Sequence, residues 1–123
     1  MTPESILHFW FEELAPAQQF AKDAALDAAI AQRFGATLQA AAGGELFGWR
    51  SSTRGRLAEI VVLDQFSRNV YRDTPRAFAQ DGMALVLAQE LVASGQAGAL
   101  PPAQRAFAYM PYMHSESRVV QAQ

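Results

Sequence analysis

Leu57-Ala58-Glu59-Ile60-Val61-Val62-Leu63-Asp64-Gln65-Phe66-Ser67-Arg68-Asn69 holds the most apolar run of the chain, and its reading decides the fold. Ile60, Val61 and Val62 are β-branched and favour strands. A central strand needs partners, however, and no other strand-like run occurs in the sequence. Ser51, Ser52 and Thr53 supply N-caps for a helix from about Arg54 to Phe66 instead. Leu57, Ile60, Val61 and Leu63 cover most of the circumference of such a helix, so it is expected to be deeply buried.

Helix signals surround this centre. Thr2-Pro3 is an N-cap followed by a first-turn proline. Ile6, Phe9, Trp10 and Leu14 follow at helical spacing, and Pro16 stops the run. From about Lys22 to Ala42, the series Ala25, Leu26, Ala29, Ile30, Phe34, Leu38 makes an apolar stripe that Gly43-Gly44 ends. Gly35 interrupts this pattern. Glu45 to Arg50 reads as a short helical turn. Thr74-Pro75 opens a helix running to Val92 and closed by Ser94-Gly95, with a short loop over Gly95 to Ala99. Pro101-Pro102 opens another, through Arg105, Phe107 and Tyr109, which Pro111 is expected to end. Ser115 is positioned to cap a last helix carrying Val119 and Val120. The expected fold is therefore all-α, a TPR-like bundle of antiparallel hairpins with five or six helices joined by short loops. Phe20-Ala21-Lys22-Asp23 and Phe78-Ala79-Gln80-Asp81 share a pattern near the starts of two long helices, but four residues are too few to establish a duplication.

The 123 residues suit a single all-helical domain over 1–123. Half of them are apolar and 11% aromatic, which supports a packed core and excludes disorder. Cysteine is absent, which removes disulfides, thiolate metal sites and a cysteine nucleophile. A net charge of −2 makes nucleic acid an unlikely partner. Met1-Thr2-Pro3-Glu4 carries an acid where a signal peptide needs positive charge. The longest aliphatic run, Ile60 to Leu63, falls far short of the ~20 residues that span a bilayer. A cytoplasmic protein without a membrane partner is expected.

Two polar segments follow apolar helices. Asp64, Gln65, Arg68 and Asn69 pair at i, i+4, Asp64 with Arg68 and Gln65 with Asn69, if the helix runs one more turn. Polar groups at the end of a buried helix must find partners, so they form either an internal network tying loops together or a ligand-facing site. His114-Ser115-Glu116 follows Pro111. His114 and Glu116 could act as an acid–base pair only if His114 lies outside the helix, since positions two apart on a helix diverge. The alternative is helix capping, with Glu116 favoured by the dipole. Glu4, His8 and Glu12 form a stripe that reads as a solvated face; as a metal site it lacks a fourth ligand, and no metal or other cofactor is implied. Arg50, Arg54, Arg56, Arg68, Arg72 and Arg76 stand against Glu59, Asp64 and Asp73, a local charge of +3. They suit bidentate carboxylate or phosphate contacts, and surface ion pairs explain them equally. No phosphate loop, His-Glu-x-x-His or nucleophile elbow occurs.

Leu57-Ala58 leading into Leu63-Asp64-Gln65-Phe66-Ser67-Arg68-Asn69 resembles a signature of a bacterial family of unknown function, domain-of-unknown-function family 924. Phe107-Ala108-Tyr109-Met110-Pro111 followed by His114-Ser115-Glu116 and Gln121 is similar to a second, and Ile6-Leu7-His8-Phe9-Trp10-Phe11 resembles the family's opening. Phe78, Asp81 and Ala84 also fit. The likeness covers nearly the whole chain. It implies an all-α fold with TPR-like packing and no established activity. Ser67, Ser117 and His8 depart from the family's usual proline and acidic residues. Typical members carry further helices after the position of Gln121, so the resemblance implies that the usual last third is absent.

Two functions are expected from these residues. One is a TPR-like interaction module of unknown protein partner. The other is an enzyme or small-ligand binder built on Asp64, Gln65, Arg68, Asn69, His114 and Glu116. Val119 and Val120 at the end of the chain also lead to the expectation of a homodimer joining the C-terminal regions.

Overall fold

In the computed structural model, which describes residues 1–115 and 117–122, the stretch 57–69 is helical throughout. α3 (Thr53–Ile60), a π-helical turn (Val61–Phe66) and α4 (Ser67–Val70) join through residues with right-handed helical angles, so they form one rod. The Ser52 hydroxyl caps it, accepting from the Gly55 amide at 3.0 Å. Leu57, Ile60, Val61, Val62, Leu63 and Phe66 are fully buried. Burial on every side overrides the β propensity of the three branched residues, because no sheet is present for them to join. No strand occurs among the described residues.

The other helices surround this rod. α1 (Pro3–His8) continues as a π-helical stretch (Phe9–Glu13), and Thr2 caps it with Pro3 in the first turn. α2 (Ala24–Ala42) is capped by Asp23, whose carboxylate accepts from the amides of Ala25 and Leu26. It runs unbroken through Gly35 and ends at Gly43. α5 (Asp81–Ala93), α6 (Pro102–His114) and the short α7 (Arg118–Gln121) complete the chain. With the rod counted once, the described residues form six helices. α1, α2, α5 and α6 all pack on the rod, and α5 packs on α6 as a hairpin. At the centre, Phe34 stacks on Phe66 at 5.1 Å between centroids, and Trp10 meets Phe66 and Phe107 edge-on at 5.8 and 5.6 Å. Such pairs add directional preference to apolar burial. No described helix is long and apolar enough to cross a membrane.

Four local expectations are corrected. Pro111 does not end its helix: it lies buried inside α6, which continues to His114. A proline removes one backbone bond, and the burial of Phe107, Ala108 and Pro111 on one face offsets that loss. Thr74-Pro75 opens only a 3₁₀ turn (Pro75–Phe78), Gln80 leaves helical angles, and α5 starts afresh at Asp81. Ser117, not Ser115, caps α7, its hydroxyl accepting from the Val120 amide. The loop expected over Gly95 to Ala99 contains a 3₁₀ turn (Gln96–Ala99), whereas the short helical turn expected over Glu45 to Arg50 is present, as a 3₁₀ turn at Phe47–Ser51.

Gly55 marks a close approach at the start of the rod. A Cβ there would lie 2.0 Å from the carbonyl oxygen of Trp49 and 2.9 Å from the Ser52 hydroxyl. Backbone cannot yield as a flexible side chain does, so Gly55→Ala is expected to cost at least the ~1–3 kcal/mol of an overpacked site. Urea unfolding checks this: a midpoint unchanged from the parent would show that the turn over Phe47–Ser51 moves freely.

Candidate functional site

The rod ends in a buried polar cluster. Asp64 lies in the π-helical turn with 1% of its side chain exposed. Buried carboxylates need donors, and this one has three. Gln65 Nε2 donates to Oδ2 at 2.8 Å, while Arg68 Nη1 and His114 Nδ1 approach Oδ1 at 3.1 and 2.9 Å. The Asp64–Arg68 pair at i, i+4 is therefore present. The Gln65–Asn69 pair is not: Gln65 turns to Asp64, and Asn69 Nδ2 donates to Asp27 on α2 at 2.8 Å. Each amide finds a carboxylate, a stronger acceptor than another amide. His114 arrives because α6 survives Pro111, and the added turn carries the imidazole across to Asp64. It is thus the last residue of α6 rather than a residue before a helix start. The α6 dipole favours positive charge at that end. Glu116, the remaining expected member, lies outside the described residues.

Three further residues belong to the cluster. Asp81, first in α5, takes both Arg68 terminal nitrogens at 2.8 and 3.0 Å. Asp27 takes Arg72 Nε at 2.6 Å and Nη2 at 3.2 Å beside Asn69. Asp81 had a sequence signal in the Phe78-Ala79-Gln80-Asp81 quartet, and Arg72 in the arginine-rich segment. Asp27 had none, because its partners are more than 40 residues away in a chain whose contacts depend on how α2 crosses the rod.

Burial alone would raise the Asp27 carboxyl. Hydrogen bonds from Arg72 and Asn69, with the positive charges of Arg72 and Lys22, outweigh it and hold the group below its ordinary value. A carboxyl depressed by folding contributes stability above its unfolded pKa of ~3.9, and that stability is lost as pH falls through the folded value. Asp27→Asn is therefore expected to lower stability at neutral pH and to flatten the loss below about pH 4. Urea midpoints against pH check this; an acid limb as steep as the parent's would remove Asp27 from the account.

His114 and Arg68 separate two cavities. On one side is a cleft of about 620 Å³ bounded by Arg68, Phe78, Asp81, Leu85, Pro111 and His114. On the other is a recess of about 200 Å³ lined by Phe20, Gln65, Asn69, Arg72 and Met110. The imidazole is about a quarter exposed, at 26%. Because ionised Asp64 only accepts, Nδ1 must carry the proton it shares with Oδ1. In the neutral ring, Nε2 is then left as the unprotonated nitrogen. A buried carboxylate that fixes the tautomer of a partly exposed imidazole is an arrangement suited to accepting a proton.

The other candidates resolve into internal contacts. Glu4 pairs with Arg54 across both oxygens, and His8 turns to Glu12, so the stripe on α1 divides. Arg50 clamps buried Glu59, Arg56 donates to the Arg50 carbonyl, and the Arg76 guanidinium lies 4.1 Å over the Tyr71 ring. The arginine-rich segment is thus engaged by this chain's own groups.

The fold and the site together define an all-helical protein in which a buried aspartate holds a partly exposed histidine beneath an open cleft. Residues 6–123 match the family described as bacterial protein of unknown function (DUF924), and the chain belongs to that family. It is similar to a solved structure, a protein of unknown function, ATU0120, from Agrobacterium tumefaciens. The TM-score is 0.92 at 36% identity, over 98% of this chain and 68% of that one. No curated protein matches the chain.

Proposed function

We propose that this protein binds a small molecule in the cleft over the Asp64–His114 pair, with His114 Nε2 accepting a hydrogen bond or proton from it. One observation carries the reading: Nδ1 is occupied by a buried carboxylate, and the same ring lines an open cleft of about 620 Å³. Such a volume lies within the ~300–1,000 Å³ usual for ligand sites. Arg68, held between Asp64 and Asp81, fixes the wall on which the ligand rests. The core runs from Ile6 to Ala108 without interruption, which supports reading 1–123 as one domain. The test is an unbiased metabolite screen by ligand-observed NMR on the parent and on His114→Asn. Asparagine keeps a donor for Asp64 and lacks Nε2. Ligands that bind the parent and weaken about tenfold or more in the variant are expected. No ligand, or equal affinity in both proteins, overturns the reading.

A second reading, a TPR-like interaction module that pairs with a protein or with its own copy, has a separate support. Val92, Tyr109, Tyr112, Met113 and Val120 line an apolar groove of about 460 Å³ between α5, α6 and α7. Met113 is 66% exposed there. A homodimer closed by two-fold symmetry through this groove is expected to show twice the chain mass in sedimentation equilibrium and to dissociate in Met113→Glu. A monomer mass at micromolar concentration refutes it.

A further inference from the structure

The cleft has a chemical preference beyond the Asp64–His114 pair, and it follows from which groups remain available. Arg68 is the cleft's cation, yet both of its terminal nitrogens are engaged. Nη1 donates to the Asp64 carbonyl, Asp64 Oδ1 and Asp81 Oδ1, and Nη2 to Asp81 Oδ2. The Arg68 Nε–H and one Nη2–H keep no acceptor among the described residues, but the positive charge already faces two carboxylates, which disfavours an added anion less by lack of donors than by charge. Asp81 differs. Its carboxylate, 29% exposed, receives only the two Arg68 bonds among the described residues, and a carboxylate offers about four acceptor positions. His114 Nε2, with no partner among the described residues, is a second acceptor. With the imidazole neutral, Asp64 and Asp81 against Arg68 leave one negative charge in excess. The charge balance, together with the acceptors on Asp81 and His114, favours a ligand that brings donors and positive charge.

Apart from Ser115, the rest of the cleft is apolar. Phe78 stands on the 3₁₀ turn before α5 with 60% of its surface exposed, which leaves a large ring in contact with water. The Arg68 guanidinium lies 5.3 Å from its centroid. Leu85 on α5 and buried Pro111 on α6 form the facing wall. An aromatic face and two aliphatic side chains accommodate a compact hydrocarbon or ring. Resting on the ligand reading above, we infer that the cleft takes a primary amine on a short apolar body. The ammonium lies between Asp81 and His114 Nε2, and the body against Phe78, Leu85 and Pro111. Phe78 and Asp81 then decide which ligand is accepted.

Three probes of one shape test this: 2-phenylethylammonium, 2-phenylethanol and phenylacetate. Each is titrated into the purified full chain and followed by protein-observed NMR at about pH 8, where an ordinary imidazole is neutral and an alkylamine still charged. The ammonium is expected to bind at least about tenfold more tightly than the carboxylate, with the alcohol between them. Its shifts should map to Phe78, Asp81 and His114. Asp81→Asn should reduce ammonium affinity about fivefold or more while barely affecting the alcohol. Should Asp81→Asn fail to fold, Phe78→Ser on the surface replaces it and should weaken all three probes together. Carboxylate binding as tight as ammonium binding, or ammonium binding indifferent to Asp81→Asn and to Phe78→Ser, overturns the inference. If the carboxylate wins and its binding still depends on His114, the ligand reading stands and only the amine preference falls. If none of the three shifts the cleft residues, the amine inference falls, and the metabolite screen alone decides the ligand reading.

Discussion

Replacing Arg50 with alanine is expected to remove about 3–5 kcal/mol of folding stability, among the largest effects of any single change in this chain. Glu59 faces inward from α3 with none of its side chain exposed. Its two oxygens accept from Arg50 Nε and Nη2, each at 2.9 Å. The planar fork of the guanidinium matches the carboxylate edge, which a lysine ammonium does not, so Arg50→Lys should recover only part of the loss. Without Arg50 the carboxylate is left buried without a counter-charge. The pair itself has a smaller net value than its breakage suggests. Arg50→Met with Glu59→Leu should return most of the stability, because apolar residues of similar volume replace a buried ion pair at little cost. Denaturant midpoints with an unchanged slope measure all of these. A loss below about 1 kcal/mol in Arg50→Ala would mean that water reaches Glu59 and that the corner is open.

The contrast between Arg50 and its neighbours shows what the sequence could and could not convey. Helix starts and ends were readable wherever the cap chemistry is local: Thr2 with Pro3, Ser52 before the rod, Gly43 after α2. The all-α assignment was readable at Ile60-Val61-Val62, because three branched residues without a partner strand have nowhere to go but into a buried helix. Pro111 was misread because the rule for proline is a cost, and a cost is overridden when packing on the same face is larger. That misreading mattered, since the position of His114 depends on the extra turn. Thr74-Pro75 was misread for a related reason. A continuous helix from there competes with the Asp81–Arg68 clamp, and the break near Gln80 lets α5 begin with Asp81 against Arg68. Within the site, Asp64 with Arg68 was legible because four residues on a helix make neighbours. The Asp64–His114 contact, at a separation of 50, was legible only as a grouping of two polar segments that each follow an apolar helix, not as this particular pair. Asp27 carried no local sign at all. Its contact with Arg72 is fixed by the crossing of α2 over the rod, and that crossing is set by Phe34 against Phe66, not by any polar pattern.

Asp64→Ala is expected to be the other costly change, again about 3–5 kcal/mol, because Gln65, Arg68 and His114 lose one shared acceptor at once. Stability alone would not separate a site from a structural knot, so the informative comparison is with the imidazole. In the parent, nitrogen-resolved NMR of the neutral ring should find the proton on Nδ1 and an unprotonated Nε2, since the buried carboxylate accepts from Nδ1 at 2.9 Å. Asp64→Asn keeps a neutral acceptor of the same shape. It should cost less, about 1–2 kcal/mol, with Gln65 turning its amide over to accept from the new NH₂ group. The Nδ1–H form should persist in that variant and weaken in Asp64→Ala, where nothing selects it. Ligand affinity in the cleft should follow the tautomer rather than the stability: retained in Asp64→Asn when the protein is kept well below its unfolding temperature, and reduced in folded Asp64→Ala. A parent protein with the proton on Nε2 would mean that the ring presents a donor to the cleft. The acceptor role given to His114 would then be wrong even with every distance in the cluster unchanged.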